Sequence, residues 1–588
     1  MKVSFVRLSI LAACLWFTPQ AMAQNNTNVV VAFMTTNSTP LNAGFAGLTT
    51  EILGTGIEYG DTNLQHYAAM LSPGWLLFPG GETGDAFNWA TGLTDSNWVN
   101  QIGLMESPTA NTSNLCATTY DALLGKGGAW FTNFAGLCRN VGGARIIVCI
   151  NGFTDTNPGS AGAFAAYALS NHIPVAVWEL CNEPYYFQGA TGFFTNGTDY
   201  ANKMKPYRDA IKAADSNAVV AVFFTDPART GTSWDNDLAS YANPYWDAVV
   251  YHHYPLLPTN ADFGALMAMD NGILFSNTGM FVTNTLMAEN TNANTTFLVT
   301  EFNPAKGDGA GGQYPPTSTL YGGIYAAEYV MRLSTVPRMS FAGNDQLANG
   351  AGIDSTNEYW DAVTKAGTDG YLTNTIGLPF GYFLSAQVSG EAIAYWAINR
   401  STAVYPTTVG ANGPTVPMDT NRLTSMPAIY AQSYQGGNGK RYVVLTNKGS
   451  NAVPVQITQD GVALTNRFLE TFVTGNDPSV VNSNPTTPSN IVIQAATVTN
   501  AVSIPEYSVV RLEWTVSNVP PPLLGMTASS AAQNLRWAGL TNVVYNVQAA
   551  TNPWSGWTTL GRVANTQTNF GFTNWNAGSQ QFYRLAVP

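Results

Sequence analysis

The sequence predicts an α/β protein: a (β/α)8 TIM barrel followed by a β-sandwich and a small C-terminal all-β module. Three observations carry that expectation. Apolar runs of strand length alternate with segments of helical spacing between about residues 140 and 345. Those runs are continuous rather than alternating, the pattern of strands covered on both faces, as in parallel sheets. After about residue 385 the helical spacing fades, and short strand-like runs between Gly, Asn and Pro turns take over.

The chain opens on an address rather than on structure. Lys2 and Arg7 precede the apolar run Leu8–Phe17, and Ala21-Met22-Ala23 forms a small-x-small cleavage site before Gln24. Residues 1–23 therefore read as a signal peptide, and the mature chain as secreted or periplasmic. Residues 24–385 hold the barrel. Its strands read as Ala144–Asn151, Val175–Pro184, Ala218–Phe224, Asp247–Pro255 and Thr296–Asn303, with helices over Ser160–Asn171, Asp199–Asp215 and Leu320–Ser334 between them. Repeated strand–helix units over this length fit a closed barrel better than a doubly wound sheet, and no GxGxxG or P-loop sequence follows any strand. The sandwich follows over 386–516, with strands at Ala392–Asn399, Arg441–Asn447, Val453–Gln459, Asn490–Gln494 and Ser503–Trp514, and residues 27–36 are a candidate strand to join it. Residues 517–523, with Pro520-Pro521-Pro522, form a stiff linker. Residues 524–588 form a small β-sandwich module rich in Trp537, Tyr545, Trp554, Trp557 and Trp575. Those aromatics suit either a sugar-stacking face or the core of a small sandwich.

Composition narrows the function classes. Of 588 residues only 10% are charged while 45% are hydrophobic, which excludes a disordered chain. Loss of the signal peptide would leave 22 basic against 36 acidic residues, a net charge of -14, so no nucleic-acid partner is expected. No stretch is long and apolar enough for a membrane span. Of five cysteines, Cys14 leaves with the signal, and the remaining four permit disulfides in an oxidising compartment. Cys116 and Cys138, in a Gly-rich region, are the expected pair, while Cys149 and Cys181 read as buried thiols.

Two expected barrel strands end in a carboxylate, at Glu183 and at Glu301. Active sites of such barrels lie at the C-terminal ends of the strands, and a carboxylate beside aromatics is costly there unless paired or used. Two of them on one barrel mouth suit retaining glycoside hydrolysis, in which one protonates the leaving oxygen and the other attacks the anomeric carbon. Two carboxylates and water suffice for that chemistry, so neither a metal nor an organic cofactor is expected, and the partner is a carbohydrate substrate.

Asn182-Glu183-Pro184 after one strand, with a Glu ending a later one, resembles clan A of the retaining glycoside hydrolases. Within that clan Trp178–Phe187 is similar to the acid/base segment of the heparanase and microbial β-glucuronidase family, and Leu71–Gly81, Tyr251–Tyr254 and Thr300–Asn303 agree with it in order. The stretch 482–512 resembles the sandwich of α-L-arabinofuranosidases of the same clan. The resemblance implies Glu183 as general acid/base, Glu301 as nucleophile and Asn182 as a partner of the sugar 2-hydroxyl. It also places His253 and Tyr254 at the sixth strand tip as positioning groups; His252 reads as a satisfied core or outward-facing histidine. Glu82 and Asp85, after the Gly80-Gly81 turn, are candidates to meet the nonreducing-end sugar. Cys181 stands where the family often has Gly, and Leu77 where it often has Arg. An acidic, Lys-poor chain repels a heparan-type polyanion, which leaves wall polysaccharides and arabinogalactan-like chains as the expected substrates.

Overall fold

The computed structural model describes residues 28–50, 58–95, 130–187, 193–225, 233–253, 292–303, 319–348, 381–417, 425–516 and 525–586, with short internal stretches left out, and the pieces 256–257, 305–306 and 363–366. The signal segment 1–23 and the linker 517–523 lie outside them.

Eight parallel strands close into a barrel. They are β1 (Ala46–Thr49), β2 (Trp75–Phe78), β3 (Arg145–Ile150), β4 (Val175–Leu180), β5 (Val220–Phe223), β6 (Ala248–His253), β7 (Thr296–Phe302) and β8 (Met339–Asn344). Each pairs with its neighbours in chain order, and β8 returns to β1. The alternation of side chains fixes two cores. Leu77, Ile147, Val177, Ala221, Val250, Leu298 and Phe341 fill the barrel interior. Their chain neighbours, such as Leu76, Ile146, Trp178, Val222, Val249 and Phe297, face the surrounding helices. Burial on both faces is why these strands are continuous apolar runs.

The helices follow local signals. Helix Pro158–Ser170 starts with Pro at its first turn behind an Asn157 cap, and helix Gly197–Ala214 is capped by the Asn196 side chain, which accepts from Asp199 N. Residues Ala392–Asn399, expected as a strand, belong to helix Ala386–Asn399. Ser385 caps it, its hydroxyl accepting from Val388 N, and the helix crosses helix Leu320–Leu333 at two facing glycines. A Cβ on Gly390 would meet Gly323 Cα at 2.9 Å, so only glycine there lets the two helices approach this closely. Read alone, its short apolar run carries no clear period.

Behind these two helices stands a sandwich of a seven-stranded and a five-stranded sheet. In strand Lys440–Asn447, Tyr442 and Val444 pack toward the barrel helices, while Val443 and Leu445 enter the sandwich core. The strand expected at Asn490–Gln494 instead runs from Gln494 to Thr499, at the edge of the larger sheet. Strand Val29–Phe33 inserts into the smaller sheet, parallel to Val453–Gln459 and antiparallel to Thr407–Val409. Helix and sandwich are joined by a buried ion pair: Glu328 accepts from Lys448 Nζ at 2.6 Å and from Arg332 Nη2 at 2.7 Å.

The C-terminal segment forms two three-stranded sheets around Leu535, Tyr545 and Val547. Tyr545 is thus core; the side chains of Trp537, Trp554, Trp557 and Trp575 lie outside the described residues. Cys138 is a free thiol buried on the inner face of helix Phe131–Asn140, against the disulfide expected with Cys116, which lies outside the described residues. Among the described residues no helix is long and apolar enough to cross a membrane.

Candidate active site

Glu183 lies three residues past β4, and Glu301 is the last residue but one of β7. The backbone that presents Glu183 is bent hard: Cys181 has φ 71° and Glu183 φ 40°, the left-handed region that favours glycine. Glycine would fit that geometry more easily than the cysteine, and a second glycine makes room for the thiol. A Cβ on Gly152 would lie 2.4 Å from Cys181 Sγ, so the space that Gly152 leaves holds the thiol. Tyr200 secures the strand tips behind the bend, donating to Leu180 O at 2.7 Å and accepting from Phe223 N at 3.2 Å.

Glu301 reaches the barrel mouth through a register shift. Val250 pairs with Leu298 but His252 pairs with Glu301, so β7 carries one residue more than β6 over this stretch. Such a bulge re-aims side chains. It allows consecutive residues, Thr300 and Glu301, to meet the same inward-facing group.

That group is His252. Its Nδ1 lies 3.0 Å from Glu183 Oε1 and 3.1 Å from Glu301 Oε2, and its Nε2 lies 3.2 Å from Thr300 Oγ1. The Tyr185 hydroxyl also donates to Glu183 Oε1, at 2.8 Å. One oxygen of each carboxylate and the imidazole nitrogen lie within 4.8 Å of one another. Burial alone would push His252 down, but the charges and hydrogen bonds of Glu301 and Glu183 outweigh it and hold the imidazole well above its ordinary value. An imidazole with two carboxylates is a donor set that could take a divalent cation only through an unprotonated nitrogen. With His252 held as imidazolium, its Nδ1–H is taken up between the two carboxylates instead.

The positioning role expected of His253 therefore falls to His252. His253 points out of the barrel, where its Nδ1 meets the Tyr329 hydroxyl at 2.9 Å and its ring stacks on Tyr329. Burial pushes it down to about 3, so it is neutral. The signal was in the strand's alternation: Ala248 and Val250 face the interior, and His252 continues that parity. Tyr254 lies outside the described residues, as does the side chain of Glu82.

Asp85 is buried, and its Oδ1 accepts from Asn182 N at 3.2 Å. Buried there, it braces the loop that carries Glu183. Thr154 fastens it from the other side, its hydroxyl donating to Asp85 O at 2.6 Å. Asn182 itself is 2% exposed, and its Oδ1 has no hydrogen-bond partner among the described residues. Leu77 is packed in the barrel interior.

No protein-family model matches the chain, and no curated protein sequence does. Solved structures do match its fold. The GH51 arabinofuranosidase of Xanthomonas axonopodis pv. citri is 16% identical with a TM-score of 0.58, covering 83% of this chain and 99% of its own. The α-L-arabinofuranosidase of Thermotoga maritima, in complex with arabinose, gives 16%, 0.58, 83% and 100%. A family 44 xyloglucanase of Paenibacillus polymyxa gives 11%, 0.50, 83% and 99%. The chain thus shares the barrel-and-sandwich fold of these clan A glycoside hydrolases.

Proposed function

We propose that this protein is a retaining glycoside hydrolase acting on oligo- or polysaccharide, with Glu183 as general acid/base and Glu301 as nucleophile. The observation that carries the reading is the approach of the two strand-tip carboxylates, whose ligating oxygens lie within 4.8 Å of each other across one imidazolium. Retaining enzymes hold their carboxyl groups about 5–5.5 Å apart, whereas inverting ones leave roughly 6.5–9.5 Å for a water.

In the first step Glu301 attacks the anomeric carbon while Glu183 gives its proton to the departing oxygen. The glycosyl–enzyme ester forms as the glycosidic bond breaks. In the second step Glu183 takes a proton from water, and that water's oxygen displaces Glu301. His252 bridges the pair throughout. Its Nδ1 holds Glu301 in place for attack, and after the first step it meets the carboxylate that Glu183 has become. Buried, unpartnered Asn182 Oδ1 is a ready acceptor for a sugar hydroxyl.

Two sugars compete for the pocket. The segments around Glu183 and Glu301 support a β-glucuronidase-like specificity. Leu77 in place of Arg removes a cation suited to a uronate, which together with the arabinofuranosidase neighbours supports an α-L-arabinofuranosidase. Export by way of residues 1–23 would place either enzyme among extracellular polysaccharides. A panel of aryl glycosides and wall polysaccharides, assayed with wild type and Glu301→Gln, tests the proposal. Turnover of at least one glycoside that Glu301→Gln lacks supports it, and an anomeric product inverted relative to substrate overturns it.

A further inference from the structure

Below the Glu183–His252–Glu301 trio the barrel holds a third carboxyl, and the reaction above makes no use of it. Glu179 is on β4, where Val177 faces inward and Trp178 and Leu180 outward, so Glu179 points into the barrel. It is 0% exposed, and neither of its oxygens makes a well-formed hydrogen bond among the described residues. A barrel interior is otherwise filled by branched apolar side chains. A buried, poorly bonded carboxyl is a cost that packing does not require.

Its surroundings give it a use. Cys149 on β3, His252 on β6 and Glu301 on β7 are the titratable groups whose charge reaches it, and the Thr300 hydroxyl lies against it. Thr300 also meets Nε2 of His252 at 3.2 Å, the nitrogen that faces away from the two site carboxylates. His252 thus has Glu183 and Glu301 on its Nδ1 side, and Glu179 beyond Thr300 on its Nε2 side.

We propose that Glu179 is a positioning residue that acts as a reserve counter-charge for His252, keeping the imidazolium in place between Glu183 and Glu301 when the medium turns alkaline. Burial pushes Glu179 up to about 8, against the opposing pull of His252 and Thr300. It is therefore neutral in neutral medium and adds no charge beside the nucleophile. As the pH rises Glu179 ionises, and the new negative charge favours the protonated form of His252. Cys149, pushed far up by burial, stays a neutral thiol and does not compete.

The test is Glu179→Gln, which keeps the shape and stays neutral. It is read by the ring-nitrogen NMR signals of His252 and by the pH profile of kcat/KM. The variant should be folded and within twofold of wild type near neutrality. Its His252 titration and the alkaline limb of its activity should both move down by about one pH unit, the scale expected for two charges a few ångströms apart in a protein site. On the alkaline side that is a loss of about tenfold. Glu179→Asp should restore both. Coincident His252 titrations in wild type and Glu179→Gln would overturn the proposal. Should Glu179→Gln not fold, wild type alone decides: the His252 ring-nitrogen signals must show a separate inflection where Glu179 ionises, below their own titration, and a His252 titration in a single step refutes the proposal. The kinetic arm rests on the glycosidase reading, but the spectroscopic arms do not, so the two failures are distinguishable.

Discussion

Removing Glu183 and removing Glu301 should have opposite signatures across a series of leaving groups. In Glu183→Ala, His252 loses its 3.0 Å partner but keeps Glu301 at 3.1 Å, and Tyr185 loses its 2.8 Å acceptor. The nucleophile therefore keeps its partner and its place, and what disappears is the proton donor. General acid catalysis contributes about 10²–10⁴-fold, all of it at a poorly leaving alcohol and almost none at an activated phenol. Hydrolysis of an alkyl glycoside should fall by that factor, while the first step on a dinitrophenyl glycoside should stay near the wild-type rate. The second step then lacks its base, so the glycosyl–enzyme accumulates and a burst of phenol precedes slow turnover. Azide needs no deprotonation and fits the space the carboxylate vacates, so it should restore turnover as a glycosyl azide with retained configuration. Glu301→Ala should lose roughly 10⁴-fold or more on both substrates, because nothing replaces the attacking oxygen. The assay is stopped-flow phenol release for both variants, with circular dichroism confirming their fold. Equal losses on the activated substrate, or no burst in Glu183→Ala, would refute the assigned roles.

Lys448→Met keeps the buried stem but strips Glu328 Oε2 of its cation, leaving that oxygen the Thr446 hydroxyl at 3.1 Å. Breaking a buried pair costs about 3–5 kcal/mol, and the Arg332 contact that survives places this variant at about 3 kcal/mol by urea titration. Glu328→Gln combined with Lys448→Met should recover part of the loss, and single variants whose costs simply add would contradict the pairing. The two cations hold Glu328 below its usual range despite burial. Its contribution is therefore present above the unfolded carboxyl value of about 4.3 and fades as pH falls through the lower folded value, so wild type and Lys448→Met should converge in acid. A chain ending near Val519 should hydrolyse a small soluble glycoside at the full-length rate and lose activity only on insoluble polysaccharide, through lost effective concentration. A folded truncation that fails on the small substrate would place the C-terminal module at the active site.

The strands bearing Glu183 and Glu301 were legible because long apolar runs buried on both faces leave a strong trace, and a carboxylate at their end stands out. His252 was misread because adjacent histidines differ only in parity, which needs the strand's register to assign. The bulge in β7 has no sequence mark at all, since it is a relation between two strands. Asp85 was read from its place after a glycine turn, but its role depends on Asn182, a residue 97 positions away. Helix Ala386–Asn399 was mistaken for a strand because its Ser385 cap lies outside the apolar run, and its contact at Gly323 is tertiary.

The insertion of Val29–Phe33 between Thr407–Val409 and Val453–Gln459 has a consequence for how the protein comes to be made. Strand Val29–Phe33 finds its place only between two strands of the sandwich that lie more than 370 positions further along the chain, and Thr35 then fastens it by two bonds to the Asp460 carboxylate, 425 positions away. Until then the smaller sheet has an open slot and the apolar Val29, Val31 and Phe33 have no shelter. Closing so long a loop makes the step late and intolerant of damage at the front of the chain. A tag or trimming that reaches residue 29 would strike the closure of a domain more than 400 residues downstream, before it touched anything in the barrel.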